Sequence, residues 1–291
     1  MFYTQLAGQR APVSATDSAR LIKWRLSTFW VMLIGYIGYY ICRGNLSAAF
    51  PLLEQEFGYS NTQLGLIVSL SEIAYAVGKF INGPLADRIG GRRIFLVGMA
   101  GAVFWNLIFA LSGTLTAFIV VWCCCRYFLS MGWGGLAKTI GSWYSSDKNG
   151  RVMGALSVSF QFGGAIAALF AGFLVSRGVS WQGVFVYPAL VLSIIGLWAF
   201  FASKGTPGDV VPGAIAVEGE SAKKQLADYG DDETPAVMTI LKTLIKMPIY
   251  RQLLVFSFLT TLLRSVFLIW TPKFLFDIGQ GASAAILKSA V

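Results

Sequence analysis

Long apolar runs separated by short polar segments organise the chain. A membrane-crossing helix needs about 20 mostly apolar residues. Seven runs meet that length, near residues 27–50, 62–84, 94–113, 116–138, 152–175, 184–203 and 250–275. The pattern predicts an all-α polytopic membrane protein. Residues 1–26 read as a polar tail and 27–203 as a six-helix bundle. Residues 204–249 read as a solvated linker, carrying the acidic run Asp228, Asp231, Asp232 and Glu233 and an amphipathic piece around 238–247. Residues 250–291 read as the start of a second half, with the seventh span followed by the first turns of an eighth at 284–291. Six spans, an inner linker and a further span are how transporters built from two six-helix halves begin. The expectation is therefore a C-terminally truncated chain that inserts but does not transport by itself.

Composition agrees with the pattern. Of 291 residues, 56% are hydrophobic and 13% charged, about half the charge of a soluble domain. With no His in the chain, imidazole catalysis and His-containing metal sites are excluded. Cys123, Cys124 and Cys125 are consecutive in one apolar run and Cys42 lies in another, so neither disulfide-framework nor zinc spacing is present. They read as small packing residues. No nucleophile, base and orienting group recur together, so no enzyme, cofactor or metal site is expected.

A net charge of +9 points to nucleic acid only where basic residues form a stripe. Here they sit in the segments between spans and act as topology signals. Arg10, Arg20, Lys23, Arg25, Arg88, Arg92, Arg93, Lys148 and Arg151 fall on one side, against Arg177 on the other. The amino terminus is thereby assigned to the cytoplasmic face of the inner (plasma) membrane. No small-residue cleavage site precedes a short apolar core, so a cleaved signal peptide is not expected.

Ionisable side chains inside spans are costly in hydrocarbon and mark functional positions. Arg43 follows Tyr36, Tyr39 and Tyr40 at offsets of seven, four and three, which predicts one helical face for all four. Glu72, Tyr75 and Lys79 share a face of span two, Arg126 lies in span four and Arg264 near the middle of span seven. Five such residues cannot all reach the interface by snorkelling. Four cations against one acid call for an anionic ligand, and an Arg fork pairs bidentately with phosphate oxygens. Glu72 and Arg126 read as either a charge pair or a protonatable coupling site. Packing features are the Gly164, Ala168, Gly172 repeat on span five, expected at a close helix contact, and Trp181, expected in an interfacial belt.

The loop after span two runs Gly83-Pro84-Leu85-Ala86-Asp87-Arg88-Ile89-Gly90-Gly91-Arg92-Arg93. Glycine permits a tight turn there, and the Asp carboxylate can accept from a helix N-terminus or an Arg. This run resembles the signature loop of the major facilitator superfamily, G-x-L-A-D-R-x-G-x-R-R, at every specified position. The resemblance covers the whole chain in span order and implies an alternating-access transporter, with Gly83, Asp87, Arg88, Gly90, Arg92 and Arg93 as its conformational gating loop. Tyr36-Ile37-Gly38-Tyr39-Tyr40-Ile41-Cys42-Arg43-Gly44-Asn45, Ala74-Tyr75 with Gly78-Lys79-Phe80, Met131-Gly132-Trp133, Leu262-Leu263-Arg264 and Trp270-Thr271-Pro272 look like the organophosphate:phosphate antiporter family. That resemblance implies exchange of a phosphorylated organic anion for inorganic phosphate by a protein that is monomeric when full length. It also implies that Arg43 and Arg264 clamp the phosphate, with Lys79, Tyr36, Tyr40 and Tyr75 lining the same cavity. Phe160 stands where the glycerol-3-phosphate antiporter has a His, Glu72 where relatives have a small polar residue and Arg126 where they have an uncharged one. Two other readings stay open: a proton-coupled symporter of another small organic anion using Glu72, and a non-transporting sugar-phosphate sensor.

Overall fold

In lipid the backbone is satisfied by helices or closed barrels, continuous apolar runs of about 20 residues fit the helix, and helices are what form. The computed structural model describes residues 14–212 and 243–279, with Ala284 and Lys288. Its helices are α1 (Ala15–Arg43), α2 (Asn45–Phe57), α3 (Asn61–Ile89), α4 (Gly91–Ala110), α5 (Leu115–Leu129), α6 (Met131–Trp143), α7 (Ser146–Ser176), α8 (Gly183–Ala202) and α9 (Pro248–Asp277). Local chemistry sets their ends. Ser14 and Thr114 accept from the backbone of Asp17 and Ala117, and Ser60 with Gln63 forms a reciprocal capping box. The acidic run at 228–233 and the expected amphipathic piece up to residue 242 lie outside the described residues, as does most of the expected eighth span.

Six segments among the described residues are long and apolar enough to cross a membrane: Asn61–Ile89, Gly91–Ala110, Leu115–Trp143, Asp147–Ser176, Gly183–Ala202 and Pro248–Asp277. The chain is a multi-pass membrane protein. The expected first span is not among the six. It is α1 and α2, jointed at Gly44, and Tyr36, Tyr39, Tyr40 and Arg43 dilute its apolar character. Its helix also starts at Ala15, well inside the stretch read as a polar tail.

Lipid is as apolar as the helix surfaces, so packing and polar contacts must hold the bundle. α3 packs on α5, α1 on α7 and α8, and α4 on α5, α6 and α8. Glycines permit the closest crossings: a Cβ on Gly91 would lie 2.6 Å from the Gly135 carbonyl oxygen, and one on Gly163 2.7 Å from the Tyr40 Cβ. The polar contact at the centre is Asn45 Nδ2 donating to Asn106 Oδ1 at 2.7 Å, with Asn106 Nδ2 donating to the Ala102 carbonyl at 2.8 Å and reaching Cys125 Sγ at 3.3 Å.

Two packing expectations are corrected. On α7 the close approach to α1 runs through Gly163, with Ala167 against Gly44, one register away from Gly164 and Ala168, which line a cavity, while Gly172 is buried. The helical period allowed either stripe, and only the placement of α1 chose between them. Trp181 is 5% exposed and its ring sits 5.5 Å from those of Phe57 and Phe118, so it is core and not an interfacial residue.

Candidate functional site

Arg43 closes the last turn of α1, where a cation also complements the helix carbonyl end. Its Nη1 donates to Tyr75 Oη at 3.1 Å, and its guanidinium stands 4.8 Å from the Tyr75 ring centroid and 5.5 Å from that of Tyr40. Tyr75 gathers two more cations, Arg126 at 4.6 Å and Lys79 at 4.8 Å. Each lies within the reach of about 6 Å at which an aromatic face attracts a cation. Arg126, 2% exposed, pairs with Glu72, and its Nε has no hydrogen-bond partner among the described residues.

From the opposite side, α9 supplies Arg264. Its Nη2 donates to Gln161 Oε1 at 3.1 Å, and its guanidinium lies 4.6 Å over the Phe160 ring. Arg43, Arg126, Arg264, Glu72, Tyr40, Phe160 and Gln161 line one cavity of about 420 Å³, within the range of about 300–1,000 Å³ usual for small-molecule sites. Its remaining wall is mostly apolar, including Phe50, Trp122 and Leu268.

Other sequence-selected residues fall elsewhere. Tyr39 leaves the shared face: its hydroxyl donates to the Phe95 carbonyl at 2.6 Å, because α1 packs on α4 along that edge. Tyr36 is 6% exposed, with its ring 5.4 Å from those of Tyr40, which it meets edge-on, and Trp133, to which it is tilted, and supports the site from behind. Lys79 lies beyond the Tyr75 ring and lines a separate recess of about 190 Å³ with Asn82 and Trp133.

In the expected gating loop, Gly83 and Pro84 are helical, inside α3, and the turn falls at Gly90, whose φ of +91° suits glycine. Asp87 pairs with Lys138 of α6 at 3.0 Å, not with an Arg of the loop. Arg92 donates to Ser203 Oγ at 3.0 Å and to the Phe200 carbonyl, tying the start of α4 to the end of α8, whose last carbonyls lack helical partners. Arg88 and Arg93 are exposed. Outside the spans, burial raises the Tyr59 and Tyr144 phenols above their ordinary value, with Arg25 opposing this at Tyr144.

Sequence reasoning missed Gln161 as a partner of Arg264 and the pairing of Lys273 with Glu54 at 2.8 Å and with Asp277. Lys273 is 2% exposed and bridges α9 to α2. A lysine near a span end reads as a snorkelling residue, and nothing in its own helix points to Glu54. The contacts of α9 lie toward this end, through Trp270 against Phe50 at 5.5 Å and Lys273, while residues 251–263 are exposed.

The sequence matches the Major Facilitator Superfamily over residues 32–291. The chain belongs to that superfamily. Among major facilitator relatives, it is 28% identical over 213 residues to a probable hexose phosphate transport protein of Chlamydia trachomatis, covering 73% of this chain and 46% of the relative. It is 32% identical over 187 residues to the glycerol-3-phosphate transporter of Bacillus subtilis, covering 63% and 42%. These names agree with the organophosphate:phosphate antiporter resemblance. The chain spans about half the length of the curated major facilitator relatives it matches. A bacterial homologue of the human lysosomal transporter Spinster, inward-facing and unoccupied, has a similar fold with a TM-score of 0.73 at 16% identity, over 92% of this chain and 59% of that one.

Proposed function

We propose that this chain is part of a secondary transporter that exchanges a phosphorylated organic anion for inorganic phosphate by alternating access. The observation that carries the reading is that Arg43 of α1 and Arg264 of α9 line one cavity. Two planar forks on opposite walls suit the tetrahedral, multi-acceptor phosphate group, and drawing them onto one ligand would pull the two walls together. The names of the relatives support the phosphorylated class, hexose phosphate and glycerol phosphate among them. In this reading the protein lies in the cell inner membrane with its amino terminus cytoplasmic, is monomeric when whole and uses no covalent chemistry or cofactor.

The test uses the whole protein in liposomes loaded with phosphate. Arg43→Lys and Arg264→Lys each reduce phosphate exchange by about tenfold or more although charge is kept, because an ammonium cannot make the bidentate pair. Arg177→Lys, on an exposed loop, leaves exchange unchanged. Near-normal exchange by either cavity variant refutes the clamp. Uptake driven by a pH gradient without internal phosphate would favour proton coupling through Glu72 instead.

A further inference from the structure

The Glu72–Arg126 pair is not needed to hold a phosphate between Arg43 and Arg264, yet it occupies the wall of the same cavity. Arg126 is 2% exposed and lines the cavity, and its Nε, itself buried, has no partner among the described residues. Its bonded anion comes from the protein itself. The Glu72 side chain is 38% exposed where it meets Arg126, so the carboxylate sits at the cavity surface and not behind it.

Charge sets the consequence. The cavity wall carries the guanidiniums of Arg43, Arg126 and Arg264 and the carboxylate of Glu72, a net of two positive charges. A phosphate monoester carries about −1.5 to −2 at neutral pH, which matches it. A phosphorylated carboxylate brings one negative charge more, and its carboxylate would need the guanidinium that Glu72 already holds. An unmatched charge in a desolvated cavity is expensive. The groups around Glu72 do not relieve the conflict. Arg126 comes from α5 and Arg43 from α1, Arg264 lies across the cavity on α9, Tyr75 and Lys79 lie on its own helix, and α7 presents Phe160 and Gln161.

We infer that Glu72 is a specificity-determining residue: a resident carboxylate that occupies the Arg126 carboxylate-binding position, so that the site accepts phosphate monoesters with uncharged tails and rejects phosphorylated carboxylates. The inference rests on the phosphate-site reading above and names the substrate class of that site.

Calorimetry on the detergent-purified protein tests it with inorganic phosphate, glycerol 3-phosphate and 3-phosphoglycerate, the last two differing in a hydroxymethyl against a carboxylate. The unsubstituted protein binds glycerol 3-phosphate about tenfold or more tightly than 3-phosphoglycerate, the scale of one lost charge-assisted hydrogen bond. Glu72→Gln frees Arg126 and moves that ratio about tenfold or more toward 3-phosphoglycerate. Glu72→Asp keeps the original preference, as does Glu72→Gln combined with Arg126→Gln, which restores the net charge and removes the guanidinium. Binding of 3-phosphoglycerate within about threefold of glycerol 3-phosphate by the unsubstituted protein overturns the inference without recourse to any variant. So does an unchanged ratio in folded Glu72→Gln. In both cases the phosphate site itself survives if inorganic phosphate binding still depends on Arg43. Loss of that dependence overturns the phosphate-site reading and this inference with it.

Discussion

Arg43, Lys79 and Arg126 all meet the ring of Tyr75, and the Tyr75 hydroxyl takes a hydrogen bond from Arg43. One aromatic side chain thus orders three like charges that would otherwise repel. Its ring supplies a negative face to each cation, and its oxygen fixes one guanidinium in orientation. The two roles separate by substitution. Tyr75→Phe removes only the hydroxyl and lowers phosphate affinity about fivefold, the value of about 1 kcal/mol for one modest hydrogen bond. Tyr75→Leu removes the face as well and costs more, because each cation–π contact contributes about 0.5–2 kcal/mol. Equal phosphate affinities for the two variants, measured by calorimetry, would show that the ring orders nothing.

At the scale of helices, α7 carries packing and function on adjacent registers. Gly163 touches α1 at Tyr40, while Gly164 opens on the cavity. A methyl group at Gly163 must displace the Tyr40 Cβ or part α1 from α7, and overpacking of this kind costs about 1–3 kcal/mol. Gly163→Ala therefore lowers the melting temperature in detergent and weakens phosphate binding through Tyr40. Gly164→Ala meets nothing within 4 Å and leaves stability unchanged. A reversed order of melting temperatures would put the helix contact back on the Gly164 stripe.

For the molecule as a whole, the charge asymmetry of the loops makes a prediction that transport assays cannot. Ser180 follows α7 and is exposed, and Lys148 lies at the opposite end of the same helix, also exposed. A cysteine at Ser180 reacts with a membrane-impermeant thiol reagent added to intact cells, whereas one at Lys148 reacts only after permeabilisation. The background is low, because Cys42 and Cys125 are buried and Cys123 and Cys124 are half-buried within α5. The opposite labelling pattern would invert the orientation read from nine basic residues against one.

Hydropathy determined by itself that this chain is helical and crosses the membrane several times, since continuous apolar runs of about 20 residues match a helix that satisfies its own backbone in lipid and are too long for barrel strands. The charged residues within the spans were legible for the same reason: an ionisable group in hydrocarbon stands out against its neighbours. Helical spacing placed Tyr40 with Arg43, and Tyr75 with Lys79, on single faces. Spacing says nothing about which helix a face meets. That decision belongs to tertiary packing, which turned Tyr39 toward Phe95, set Lys79 beyond the Tyr75 ring, joined Glu72 to Arg126 and brought Gln161 to Arg264. Each of those pairs, apart from Lys79 with Tyr75, spans two helices. A one-dimensional period records where a side chain leaves its own helix, and only the packed bundle settles what it encounters.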